Sequence, residues 1–140
     1  MHTGICSTRE LKPIQMIEGR RALVVDDDQK VLAMLSRWLR DAGYDVASAS
    51  TLAEARARID EDPPDALVVD VRLREFNGIQ LAVRARATSP GMRIVVVSGF
   101  DDPVLRREAM ACDATFITKP LTRADLLAAV NPSAGEEFRH

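Results

Sequence analysis

Apolar residues gather into short runs separated by amphipathic stretches. Ala22-Leu23-Val24-Val25, Ala66-Leu67-Val68-Val69 and Met92 to Val97 (apolar after Arg93) are continuous or nearly so. That is the pattern of strands buried on both faces of a parallel sheet. Strands are predicted over 20–27, at the run ending in Asp70 and at Met92–Val97. Tyr44-Asp45-Val46-Ala47-Ser48 alternates, predicting a more exposed strand, and Ala114-Thr115-Phe116-Ile117-Thr118 predicts a fifth.

The intervening segments have helical period. Val31, Leu32, Leu35, Trp38, Leu39 and Ala42 share one face over 29–42, and Gly43 stops that helix. Thr51-Leu52-Ala53-Glu54 has the form of a capping box, and Pro63-Pro64 ends the helix it opens. A polar loop, Arg72 to Asn77, leads through Gly78 into a helix carrying Ile79, Leu81, Ala82 and Val83; Ser89-Pro90-Gly91 is a turn. Asp102-Pro103 supplies a cap and first turn for a helix running to Cys112. Thr122-Arg123-Ala124-Asp125 caps a last helix ending near Val130. Five strands alternating with five helices predict a doubly wound, five-stranded parallel α/β fold. The expected organisation is an N-terminal extension (1–19), one domain (20–131) and a short polar tail (132–140).

Composition narrows the function. The 140 residues suffice for one domain. With 19 basic and 21 acidic residues interspersed, the net charge is −2 and there is no basic stripe for nucleic acid. No apolar run is long enough to span a bilayer, and Arg9, Glu10, Lys12 and Glu18 interrupt the first segment. A cytoplasmic protein without nucleic-acid or membrane partners is the expectation. Cys6 and Cys112 read as two free thiols. The only histidines, His2 and His140, lie at the termini, which excludes a Ser-His-Asp triad and an HExxH zinc site. Phosphate chemistry on this chain would have to use a carboxylate.

Carboxylates are where the pattern converges. The first strand ends in Asp26-Asp27-Asp28, the third in Asp70, and the fifth in Lys119-Pro120. Ligands bind at the carboxyl ends of strands in open α/β sheets. Crowded carboxylates there require a hard cation, raised pKa values, or both. Asp28 is set apart as the cap of the first helix.

These elements resemble the receiver domain of bacterial two-component response regulators, of the stand-alone, CheY-like kind. The resemblance rests on Leu23-Val24-Val25-Asp26-Asp27-Asp28, Leu67-Val68-Val69-Asp70 with Gly78 following, Val95-Val96-Val97-Ser98-Gly99, and Phe116-Ile117-Thr118-Lys119-Pro120. It runs from about Arg20 to Val130 and implies a flavodoxin-like strand order of 2-1-3-4-5. It further implies that Asp70 is the phosphoacceptor. Mg²⁺, with Mn²⁺ able to substitute, would be held by Asp27, Asp70 and the backbone carbonyl of Arg72, with Asp26 acting through water. Lys119, after a typically cis Lys-Pro bond, would hold a phosphoryl oxygen. Ser98 would donate its hydroxyl to the phosphoryl group and move toward it, letting the switch aromatic Phe116 turn inward. A histidine kinase or histidine phosphotransfer protein would be the donor, a downstream protein the target, and the fourth helix and fifth strand a dimer surface. Arg74 departs from the family's proline at that position, which implies a looser loop. Arg72 is implied to face the site mouth and prolong the phosphorylated state.

Two other functions compete. A haloacid-dehalogenase-type phosphatase also uses Asp, Mg²⁺, Ser/Thr and Lys, but its D-x-D-x-T signature fails at Asp26-Asp27-Asp28-Gln29-Lys30, and no cap domain follows. A phosphorylation-independent binding module on the same fold has no need of Asp26, Asp27, Asp70, Ser98 and Lys119 together. A receiver separated from a DNA-binding output domain is a further alternative, although Ala134 to His140 shows no linker into one.

Overall fold

Strands whose two faces are both apolar can be covered only by helices on both sides of a sheet, and the chain takes that solution. The computed structural model describes residues 19–73 and 76–131. Strands β1 (Arg21–Val25), β2 (Asp45–Ala49), β3 (Ala66–Asp70), β4 (Arg93–Ser98) and β5 (Thr115–Thr118) form one sheet. All its pairs are parallel, in the order β2-β1-β3-β4-β5, the expected flavodoxin-like arrangement. Helices α1 (Gln29–Asp41), α2 (Leu52–Glu61), α3 (Gly78–Thr88), α4 (Pro103–Ala111) and α5 (Arg123–Val130) alternate with the strands. No helix among the described residues is long and apolar enough to cross a membrane.

The two-residue alternation of the strands sorts the core into two layers. Leu23, Val25, Leu67, Val69, Ile94 and Val96 face Ala55 and Ile59 of α2, Leu81, Ala82 and Ala85 of α3, and Ala109 of α4. Ala22, Val24, Val68, Val95 and Val97 face Leu32, Leu35 and Leu39 of α1 and Leu126 and Val130 of α5. Trp38 lies at the margin of the second layer, partly buried.

Helix ends follow local chemistry. Asp28 accepts the amides of Lys30 (3.0 Å) and Val31 (3.4 Å) at the start of α1. At the other end Ala42 is the cap and Gly43 takes φ 105°, a backbone region closed to most side chains. Asp102 accepts from Val104 and Leu105 at the start of α4, and Thr122 with Asp125 forms a reciprocal capping box at α5.

Four local expectations shift. Tyr44 precedes β2 rather than opening it: the ring is buried and its hydroxyl donates to the Val130 carbonyl (3.5 Å). Thr51 accepts from the Glu54 amide, but Glu54 returns to the amide of Ser50 instead of completing the box. Val83 points to solvent because α3 turns Leu81, Ala82 and Ala85 toward the sheet. The loop after Asp70 contains a short antiparallel pairing of Arg72–Leu73 with Phe76–Asn77, with Leu73 buried; Arg74 lies outside the described residues, as do the extension to Glu18 and the tail from Pro132.

Gly78 fixes how closely α3 approaches β3. Its amide donates to the Val71 carbonyl at 2.6 Å. A methyl at Gly78 would overlap the Asp70 carbonyl oxygen and press on Val69 Cγ2 at 3.0 Å. Backbone cannot yield as a flexible side chain does, so Gly78→Ala is expected to destabilise the protein by roughly 1–3 kcal/mol or more. Urea denaturation checks this, and an unchanged midpoint would contradict it.

Candidate functional site

The parallel register brings the ends of β1, β3, β4 and β5 to one edge, with Val25 beside Val69, Asp70 beside Val97, and Ser98 beside Thr118. Asp26 and Asp27 follow β1, Asp70 ends β3, Ser98 ends β4, and Lys119 follows β5. The fold therefore gathers side chains separated by more than ninety positions of sequence.

Carboxylate oxygens of Asp26, Asp27 and Asp70 lie within 4.8 Å of one another. Asp26 is 1% exposed and Asp70 8%. The Lys119 ammonium sits between two of them, 3.6 Å from Asp70 Oδ1 and 3.7 Å from Asp26 Oδ2. At an effective dielectric near ~20, each of these attractions is worth roughly 4–5 kcal/mol before desolvation. Each pair of ionised carboxylates at such separations repels by at least roughly 3–4 kcal/mol on the same scale. The carboxylates repel one another while Lys119 attracts two of them, so acidic charge is concentrated at this edge.

The titration behaviour follows. Burial raises the Asp26 pKa to about 6, helped by the Asp70 and Asp27 charges and opposed by the Asp28 amide and Lys119. Burial also raises Asp70, against the pull of Lys119 and the Arg72 amide. Asp26 Oδ1 accepts the Asp28 amide at 2.9 Å, while Oδ2 is buried without a hydrogen-bond donor. A buried acceptor left without a donor is costly. Together with an all-oxygen donor set, it fits a hard divalent cation.

The other predicted residues are placed as follows. The Lys119–Pro120 bond is cis, and the Lys119 amide donates to the Ser98 carbonyl at 2.7 Å. Ser98 is buried, and its hydroxyl is closed on the next loop: it donates to the Phe100 carbonyl (2.8 Å) and accepts the Phe100 amide (3.1 Å). Phe116 is 9% exposed, within the layer under α4. Its ring is thus already inward while Ser98 is still occupied by Phe100. The Arg72 guanidinium lies 4.7 Å over the ring of Phe100, which is 59% exposed. That contact spans the loops after β3 and β4. Sequence reading passed over Phe100, Asp101 and Arg106. An exposed aromatic two residues after Ser98 was the available signal for the first, whereas the contacts of Arg106 exist only once α4 packs on β5.

Residues 22–131 match the response regulator receiver domain family. The chain belongs to that family. This receiver is 40% identical over 117 residues to the transcriptional regulatory protein PrrA of Mycobacterium tuberculosis, a match covering 81% of this chain and 49% of that protein. The chain thus spans about half the length of the PrrA relatives. It is 33% identical to the response regulator receiver protein CpdR of Brucella abortus, over 77% of this chain and 91% of that one. Among solved structures, a CheY-like receiver domain protein from Methanospirillum hungatei superposes with a TM-score of 0.76 at 29% identity, covering 86% of this receiver and 97% of that chain. A response regulator from Burkholderia pseudomallei, solved with a phosphorylated aspartic acid, a calcium ion and citrate, gives 0.76 at 26% identity, covering 86% and 71%.

Because Asp26 keeps its proton to higher pH when folded than when unfolded, folding takes up protons between about pH 4 and 6. Stability of the metal-free receiver should therefore fall as pH rises through that window, by about 3 kcal/mol from this group. Asp26→Asn removes the ionisation and should flatten the slope while raising stability at neutral pH. Urea titrations in chelator across the window test it; a wild-type slope retained in the variant would refute the assignment.

Proposed function

We propose that this receiver is a phosphoacceptor switch with Asp70 as the acceptor, in a domain spanning 20–131. The observation that carries the reading is the Lys119 ammonium held 3.6–3.7 Å from two buried carboxylates at the end of three strands. An ammonium so placed is positioned for a phosphoryl oxygen beside Asp70.

In this reading an Asp70 carboxylate oxygen attacks the phosphorus of a phosphohistidine or a small phosphoryl donor. The P–N or P–O bond breaks, the imidazole or carboxylate leaves, and an acyl phosphate forms on Asp70. Asp26, Asp27, Asp70 and the Arg72 carbonyl would hold Mg²⁺, with Mn²⁺ able to substitute; the cation supplies charge neutralisation between the carboxylates and the incoming phosphoryl group. Lys119 takes a phosphoryl oxygen, contributing about 1.5–3 kcal/mol as a charge-assisted hydrogen bond. Ser98 exchanges the Phe100 carbonyl for the phosphoryl group. The added charge of −1.5 to −2 biases the loop after β4, and a protein partner that prefers one arrangement reads it.

The donor is a histidine kinase or histidine phosphotransfer protein, and the output runs through a downstream protein. A net charge of −2 without a basic stripe argues against direct nucleic-acid binding by this chain. The match covers 91% of the CpdR relative and 49% of the PrrA relative. The reading is of a phosphoacceptor switch, in keeping with relatives that are regulatory proteins.

Intact-mass spectrometry after incubation with acetyl phosphate and Mg²⁺ should show one phosphoryl adduct, absent in Asp70→Asn and in chelator. A metal-independent adduct, or one surviving in Asp70→Asn, would sink the assignment. Lys119→Ala should slow adduct formation about 10- to 100-fold, the kinetic equivalent of its hydrogen bond. Affinity for Mg²⁺ should weaken as pH drops through about 6, where Asp26 takes up its proton; calorimetric titration at two pH values checks the direction.

A further inference from the structure

Phe116 and the site loop are joined by a residue that the receiver motifs do not include. Arg106, on α4, donates from Nε (3.2 Å) and Nη2 (2.8 Å) to Oδ1 of Asp101. The carbon of the same guanidinium lies 4.7 Å over the Phe116 ring. Asp101 is three residues beyond Ser98, in the loop after β4.

We propose that Arg106 is a positioning residue that holds Phe116 in its buried place and ties the ring to the loop after β4. A cation over an aromatic face within ~6 Å attracts it, and here it covers the ring from the α4 side. The ion pair with Asp101 is partly exposed, so its role is orientation more than stability. Two donors addressing one oxygen fix the guanidinium above the ring. The loop supplies the coupling. The Ser98 hydroxyl both donates to and accepts from the Phe100 backbone, so turning that hydroxyl away releases Phe100, and Asp101 follows it in the chain. Displacing the loop withdraws Asp101 from Arg106 and loosens the clamp on Phe116. The inward ring beside an occupied Ser98 is the expected resting state of such a device. The clamp stands on this geometry alone; its use in signalling rests on Asp70 being the phosphoacceptor.

Fluorine NMR of protein labelled with 4-fluorophenylalanine tests both parts. Resonances of Phe76, Phe100, Phe116 and Phe138 are assigned by Phe→Leu substitutions, and the shift between H₂O and D₂O reports exposure of each ring. In the resting protein, Arg106→Gln should raise the Phe116 solvent shift, Arg106→Lys less so, and Asp101→Asn in the same direction. Arg107→Gln, on the exposed side of α4, should leave it unchanged. An unchanged Phe116 shift in Arg106→Gln and Asp101→Asn overturns the clamp. Should Arg106→Gln fail to fold, the exposed Asp101→Asn decides alone. With acetyl phosphate and Mg²⁺, wild type should gain an adduct together with a moved Phe116 resonance, whereas Arg106→Gln should gain the adduct and lose that movement. An adduct with equal Phe116 responses overturns the coupling. No adduct in wild type overturns the Asp70 reading and the coupling with it, leaving the resting measurement to decide the clamp.

Discussion

Carboxylates crowded about the Lys119 ammonium are the constraint on which the rest of this receiver depends. Asp26, Asp27 and Asp70 approach within 4.8 Å, and Lys119 reaches two of them without coming into short hydrogen-bond range of either. Burial raises the pKa of Asp26 and Asp70 alike. An all-oxygen acidic cluster of this kind is the donor set that suits a hard divalent cation. Stability lost to that crowding in the metal-free protein is recovered on binding, because ligand that binds only the folded state stabilises it.

Such a site needs a rigid frame, and the sheet provides one. Parallel registry fixes where each strand ends, and helices on both faces leave the strands little freedom to slide. Gly78 lets the first turn of α3 press against the Asp70 backbone, so the carboxylate is held from behind. The facing loop after β4 is differently secured. Its contacts are Ser98 on its own backbone, Arg72 on Phe100 and Arg106 on Asp101, and two of these are polar or cation–π contacts near the surface. One side of the acidic cluster is thus held by backbone packing and the facing loop by contacts near the surface.

Phe116 illustrates how a motif residue differs from its motif. The family pattern pairs its burial with movement of Ser98, yet here the ring is buried while Ser98 is engaged by Phe100. The Arg106 guanidinium lies over that ring on its α4 side. The electrostatic link from loop to ring is thus a property of this chain's α4.

Much of the molecule was legible along the chain because it depends on local chemistry. Continuous β-branched runs dictate doubly covered strands, Asp28, Asp102 and Thr122 announce their helices, and Gly43 marks an end that needs a left-handed residue. Asp26, Asp27, Asp70 and Lys119 could be collected before any coordinates, since strand ends in this topology share an edge, and Ser98 joined them through the resemblance to receiver domains. Sequence could not place Tyr44 in the core, pair Leu73 with Phe76, or turn Val83 outward, because each depends on which neighbour a face meets. Nor could it find Arg72 on Phe100 or Arg106 between Asp101 and Phe116. Those contacts join residues from different elements at angles set by packing. Periodicity and caps therefore determined the elements and the chemistry at their ends, while distances, charge balance and the link between loop and ring were decided only when the layers closed.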